Sequence, residues 1–406
     1  MGKSILIQFE KYKSYDLACE LIEYFRTERP IQDVAELARI LACSGKVLDK
    51  DENAADIPST GGPSSLSTLL CPLYLAQNGL QVRKLGVPGR PAGGIDVLSR
   101  IPGYKTSLDS VAFSSKSLAS SAYLHFEANG EFAPLDARLF QWRKQHHAVN
   151  IPQLAIASLL SKKIAVGVSY VNLDIRMSSF GNFGSTPEQC KKHAFQFCEI
   201  ADIFGISARA HISDASIPYQ PYIGREESLY AIWDVLNERE SEWLRNHNSM
   251  CIQLCKEVLN MRKEAADCDV FREDYSIFGA KRVFQDNLTA QGSCLRTFNS
   301  IGEKRTCVSE YYVRARLSGY ISYNLEKMRS VLVSLQNACA IEDSTPYGDP
   351  VGLELLVEPG KYVEQHTNVL RIRVRSNNNL DIDVSSAFTI ESKPTQRLQD
   401  RYSEAI

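Results

Sequence analysis

Residues 151–175, IPQLAIASLLSKKIAVGVSYVNLDI, contain a complete helix-to-strand transition, and their reading decides the fold class. Asn150 ahead of Pro152 is a start signal, because an Asn side chain accepts from free N–H groups and proline suits the first helical turn. Ile151, Leu154, Ala155 and Leu159 then recur at helical spacing, and Gly167 stops the pattern. The apolar run that carries on to Ile175 predicts a buried strand.

The same alternation extends outward. ISARAHI (206–212) is a second apolar run and EQCKKHAFQFCEIADIFG (188–205) a second helix, so residues from Leu69 to about Ala280 predict an α/β domain. Upstream, SILIQF (4–9) reads as a short strand. Two helices follow, one with a stripe of Leu17, Cys19, Leu21, Ile22 and Phe25, the other with Val34, Leu37, Ile40 and Leu41. Pro30 separates them and Gly45 is expected as the C-cap of the second. Downstream the period changes to two. YYVRARLSGYISYN (311–324), VGLELLVEPGKYVEQHTNVLRIRV (351–374) and LDIDVSSAFTI (380–390) predict a small antiparallel β-rich module, with a turn at Glu358-Pro359-Gly360 and one helix over 325–338. The tail after Ser392 reads as disordered.

Composition narrows the partners. At 406 residues, two or three domains are expected. A formal net charge of -2 provides no electrostatic reason for a nucleic-acid or membrane partner. The 11 cysteines are an odd number without a C-x-x-C pair, which predicts reduced thiols in a cytoplasmic protein. No apolar run approaches the roughly 20 residues of a membrane span. No metal or organic cofactor has a motif, so none is expected.

Three features carry chemistry. Ser59-Thr60-Gly61-Gly62, followed by Ser67 and Thr68, brings backbone N–H groups and hydroxyls toward an anion, although such a stretch is also what a flexible surface loop looks like. Ser158 and Lys162 lie four apart on the apolar stripe of the 151–167 helix, either as two donors aimed into a cleft or with the lysine snorkelling to solvent. Arg143, beside Phe140 and Trp142, suits a planar ligand or a plain surface position.

The order of these segments is informative. SGKVLD (44–49), STGG (59–62), GGIDVLSRIPGY (93–104), FAPLDARLFQWR (132–143) and IPQLAIASLLSKK (151–163) resemble the thymidine and pyrimidine-nucleoside phosphorylases. LDIRMSSFGNFG (173–184), IGREESLYAI (223–232) and ARLSGYISYNLEKM (315–328) extend the resemblance. It implies an α/β fold: a small helical domain (1–50 and 132–167), a large mixed-sheet α/β domain (51–131 and 168–305), then the β-rich module (306–392) and the tail (393–406). Segments near Glu127–Glu131 and Val166–Val168 would be the crossings about which the cleft closes. A homodimer through the N-terminal helices is also implied.

Carried over by position, the resemblance implies a pyrimidine pocket of Phe140, Arg143, Ser158 and Lys162, the last three also serving catalysis by holding the departing base. The acceptor loop would be Ser59, Thr60, Gly61 and Gly62 with Ser67 or Thr68. The family's Lys-His before Ser-Thr-Gly-Gly is here Ile57-Pro58, which can neither supply charge nor transfer a proton. Lys84 and Arg90 are the candidate replacements for the charge. The expected activity is pentosyl transfer at the N-glycosidic bond of a pyrimidine nucleoside, with phosphate, water or another nucleophile as acceptor and weak or absent phosphorolysis. The alternative is a non-catalytic nucleoside-binding or regulatory protein.

Overall fold

The structure, a computed structural model, describes residues 2–109, 121–128, 130–266, 273–303, 309–338, 348–349, 351–374 and 384–406. Three helices open the chain: α1 (Gly2–Tyr12), α2 (Tyr15–Tyr24) and α3 (Ile31–Ala42). β1 (Ala55–Asp56), α4 (Ser67–Gln77), β2 (Val82–Gly86), α5 (Gly94–Leu98) and β3 (Tyr123–Glu127) follow. Two helices, α6 (Pro134–Gln145) and α7 (Pro152–Ala165), return to pack beside the first three. Next come β4 (Tyr170–Met177), α8 (Pro187–Ile203), β5 (Ser207–Asp214), β6 (Tyr222–Ile223) and the helices α9 (Arg225–Leu236), α10 (Glu242–Ala266), α11 (Ile277–Ala290) and α12 (Leu295–Glu303). The last part holds β7 (Ser309–Arg314), β8 (Gly319–Tyr323), α13 (Leu325–Ala338), β9 (Val351–Leu355), β10 (Tyr362–Val363), β11 (Asn368–Val374), β12 (Phe388–Glu391) and β13 (Ser403–Ala405).

The result is the mixed α/β architecture that the period changes predict. The central sheet runs β1-β4-β5-β13, parallel across β1, β4 and β5 and antiparallel at β13. β2 and β3 form a separate parallel pair. The C-terminal module has two antiparallel sheets, β6-β9-β11-β7 and β10-β8-β12. β4 shows how the strand period places chemistry. Val171, Leu173 and Ile175 join one apolar core, whereas Asn172, Asp174 and Arg176 are also buried but turn to the opposite face. A second core forms around α4, α9, α10 and α11, and a third inside the C-terminal module.

The helix starts at Pro152 and stops before Gly167 as expected, but Asn150 does not cap it: Ile151 holds the N-cap position and no side chain accepts from the first turn. Gly167 has φ +69°, and a Cβ there would lie 2.1 Å from the Asp49 carbonyl oxygen. Three further expectations are corrected. SILIQF is part of α1, because Leu6 and Phe9, one helical turn apart, are buried against α2 and α3, and among the described residues no strand lies beside them to pair with. Gly45 is not the C-cap of α3, which ends at Cys43; its lack of a side chain instead admits the Glu131 carbonyl, 2.1 Å from where a Cβ would sit. The tail is ordered. β13 pairs with the edge of β5, and Arg401 donates to the carbonyls of Ile217 (2.8 Å) and Pro218 (2.9 Å). Residues 380–383 of the third expected β stretch and Asn129 of the first expected crossing lie outside the described residues.

Among the described residues, no helix is long and apolar enough to cross a membrane. All eight described cysteines are free thiols.

Candidate active site

A cavity of about 570 Å³ opens where the end of β1, the β2 strand, α7 and α13 meet. Its α/β wall is the Ser59–Gly62 loop. Gly61 (φ +97°) and Gly62 (φ +150°) adopt a backbone that other residues resist. The loop is held from behind: Thr60 N–H donates to the Asp174 carbonyl (3.0 Å), and Arg176 N–H to Thr60 Oγ1 (2.8 Å). Arg176 itself is buried, ion-paired to Asp174 and bonded to Ser65 Oγ at 2.7 Å. Ser67 donates to Asp174 Oδ2 at 2.5 Å and so belongs to this support, while Thr68 lines the cavity.

The Ile57-Pro58 pair splits. Ile57 is fully buried in the core beneath α4, and only Pro58 meets the cavity. The charge at this wall comes from farther along the chain. Asp56, fully buried, takes Lys84 Nζ at 2.6 Å and also Lys163 Nζ; Lys84 in addition donates to the Ile57 carbonyl at 2.8 Å. Burial opposes the Asp56 charge, but Lys163 and Lys84 win and hold its carboxyl well below the usual range. Lys163 is pulled down by burial to about 8 despite that partner. Two ammoniums on one carboxylate leave this floor with a surplus positive charge below that pH.

On the facing wall, Lys162 Nζ donates to Asp136 Oδ2 (2.7 Å), to Ser158 Oγ (2.9 Å) and to the Ser158 carbonyl. All three of its protons are used, and Ser158 Oγ, as acceptor, keeps its own hydrogen for a ligand. Asp136 Oδ1 is buried with no partner among the described residues. Arg143 donates to the carbonyls of Ala148 (3.3 Å), Leu154 (3.2 Å) and Val149 (2.8 Å), which uses three of its five N–H groups. Burial draws its guanidinium down to about 10. Phe140 lines the same wall, with the Arg90 guanidinium 5.1 Å from its ring centroid.

All of the expected residues except Ser67 therefore line one cavity. Sequence reasoning missed Asp56, Asp136, Lys163 and His125. Asp136 sits inside the quoted FAPLDARLFQWR segment and Lys163 inside the SKK run, so a signal existed for both. His125 lines the cavity with Nδ1 3.0 Å from the Tyr123 hydroxyl, and burial keeps the imidazole neutral.

No protein-family profile matches the chain. Among curated proteins, it is 25% identical over 397 residues to a pyrimidine-nucleoside phosphorylase of Staphylococcus epidermidis, covering 95% of this chain and 90% of the relative. The curated homologues that match it over most of its length are named pyrimidine-nucleoside phosphorylases. A Geobacillus stearothermophilus protein of the same name is 24% identical over 300 residues, 72% of this chain and 68% of the relative. Among solved structures, anthranilate phosphoribosyltransferase from Saccharomyces cerevisiae aligns over 75% of this chain and 91% of its own, at 13% identity and a TM-score of 0.45.

Proposed function

We propose that this chain is a pentosyltransferase that moves the sugar of a pyrimidine nucleoside between the base and an anionic acceptor. The observation that carries the reading is one cavity in which a Ser158–Lys162–Asp136 group faces a twin-glycine loop above a cationic floor. As the C–N bond breaks, its electron pair stays with the base. The free Ser158 hydrogen and the unused Arg143 N–H groups are placed to meet that charge, with Lys162 holding Ser158 as a donor. The sugar carbon is then taken by an oxygen of the acceptor, held by the loop and Thr68. Lys84, Lys163 and Arg90 supply the charge that Ile57 does not. Arg90 reaches this position, since its Nη1 would lie 3.7 Å from a Cβ on Gly61.

The Pro58 side chain has neither donor nor acceptor, and its carbonyl is taken by the Asp174 N–H (2.9 Å), which favours one second reading, a nucleoside binder without catalysis. Base release from uridine and thymidine, with and without millimolar phosphate, separates the two. Slow release that depends on phosphate supports the transferase. Release indifferent to phosphate overturns the anionic acceptor, and tight binding with no release means a binder. The protein is proposed to work in the cytoplasm as a homodimer; Ile7 (62% exposed), Tyr12 (62%) and Tyr15 (45%) provide apolar surface on α1 and α2. A monomer by light scattering would sink the dimer.

A further inference from the structure

We infer that the sugar bound in this cleft carries a phosphate ester of its own, so that the substrate is a pyrimidine nucleoside 5′-phosphate. This deepens the transferase reading and rests on it.

The inference starts from a second group of cations, apart from the Lys84–Lys163 floor. Arg90 from the loop after β2, Lys144 from the end of α6 and Arg329 from α13 all line the same cavity. The Arg90 guanidinium and Lys144 Nζ lie 5.1 and 5.2 Å from the one Phe140 ring centroid, and Arg329 is near enough to raise the energy of both charges. None of the three forms an ion pair with a described residue. Lys144 has one hydrogen bond, to the Gly89 carbonyl at 3.0 Å. Asp96, beside the loop, spends its carboxylate on the backbone N–H groups of Gly89 (2.7 Å) and Arg90 (3.2 Å).

Asp96 offsets part of the charge on Arg90 and Lys144, and Asp136 part of that on Arg90, but the three cations still repel one another with no direct ion pair, and the anion of a ligand would relieve this. The acceptor is met by the loop, the floor and Arg90, so Lys144 and Arg329 are surplus to it. The Arg90 loop is also held in place. Arg225 Nη2 donates to the Arg90 carbonyl at 2.8 Å, and Gln336 Nε2 to the Pro91 carbonyl at 3.2 Å. Gln336 and Arg329 both belong to α13, so the C-terminal module positions Arg90 and adds a cation of its own. Phe140 is expected at the base, so the cations over its ring stand at the mouth of the ligand cavity, where Lys144 and Arg329 are solvent-exposed. A phosphate on the far carbon of the pentose fits that chemistry, as does a free phosphate ion beside a plain nucleoside.

The test is calorimetry at fixed ionic strength with uridine, uridine plus millimolar inorganic phosphate, and uridine 5′-monophosphate. It uses the parent chain and the exposed-site variants Arg329→Gln and Lys144→Gln. The expected result is a preference for the monophosphate over uridine of about tenfold or more, falling about five- to tenfold in either variant. Equal affinity for uridine and its monophosphate overturns the inference while the base pocket stands. An equal gain for uridine from phosphate in trans assigns the site to a free anion and overturns the ester. A preference unchanged in both variants overturns the location. No binding of either pyrimidine ligand refutes the underlying base-pocket reading instead.

Discussion

Replacing Asp56 by Asn tests the cationic floor. The side chain is fully buried and is the only carboxylate that Lys84 and Lys163 contact among the described residues. Removing one partner of a buried ion pair costs about 3–5 kcal/mol, because the remaining charge is left desolvated. Here two ammoniums would be stranded, with side chains 6% and 3% exposed, which places the loss in the upper half of that range. The pH dependence has a definite sign. Lys163 has its folded value drawn down to about 8, below the roughly 10.4 of an unfolded lysine, so between these values the native state binds fewer protons and stability rises with pH. In Asp56→Asn the attraction that held the protons on is gone, so the gain from pH 7 to pH 9 is larger than in the parent. Urea unfolding of both proteins at the two pH values provides the comparison. A loss at pH 7 below about 1 kcal/mol, or a loss that does not shrink at pH 9, would show that Asp56 does not hold this pair.

Lys162→Ala should weaken binding of a uracil-type base by about 1.5–3 kcal/mol by calorimetry, since it frees Ser158 and strands Asp136; unchanged affinity means that the pocket is misassigned. Sulfate, whose charge is constant over this range, should bind about three- to tenfold more weakly at pH 9 than at pH 7 as Lys163 loses its proton; equal affinities would remove Lys163 from the anion site. Arg401→Ala, which deletes the bonds to Ile217 and Pro218 and the guanidinium 4.0 Å over the Tyr219 ring, should cost about 2–3 kcal/mol in urea unfolding. A loss below about 0.5 kcal/mol would mean that the tail adds nothing to the fold. The helical part (1–50 and 132–167) is proposed to close on the α/β part (51–131 and 168–305) about the ligand. Small-angle scattering should show compaction with nucleoside, and identical profiles at saturation would indicate a fixed cleft.

Much of this protein is local in origin. The α7 helix is bounded by Pro152 and Gly167, and both signals act within a turn of where they stand. The apolar run of β4, the alternation along β11, the glycines of the acceptor loop, and Ser158 one turn before Lys162 are likewise properties of short stretches. Such stretches could be read without knowing what lies opposite them. SILIQF marks the limit, since six apolar-rich residues suit a strand or a helix equally, and only the packing of Leu6 and Phe9 against later helices decided it.

The rest was set by partners far apart in the chain. Asp56 meets Lys163 across 107 positions and Lys84 across 28, and no spacing rule connects them. Arg90, Lys144 and Arg329 become one group only once α13 packs beside the loop after β2. The tail has little apolar patterning of its own, and its order comes from the open edge of β5, whose N–H and C=O groups need a partner. Sequence by itself determined most of the elements and the family resemblance, because backbone preference and apolar period are local. Tertiary structure alone decided where the charge lies, because a buried charge is stable only beside a counter-charge, and that neighbour is chosen by the fold.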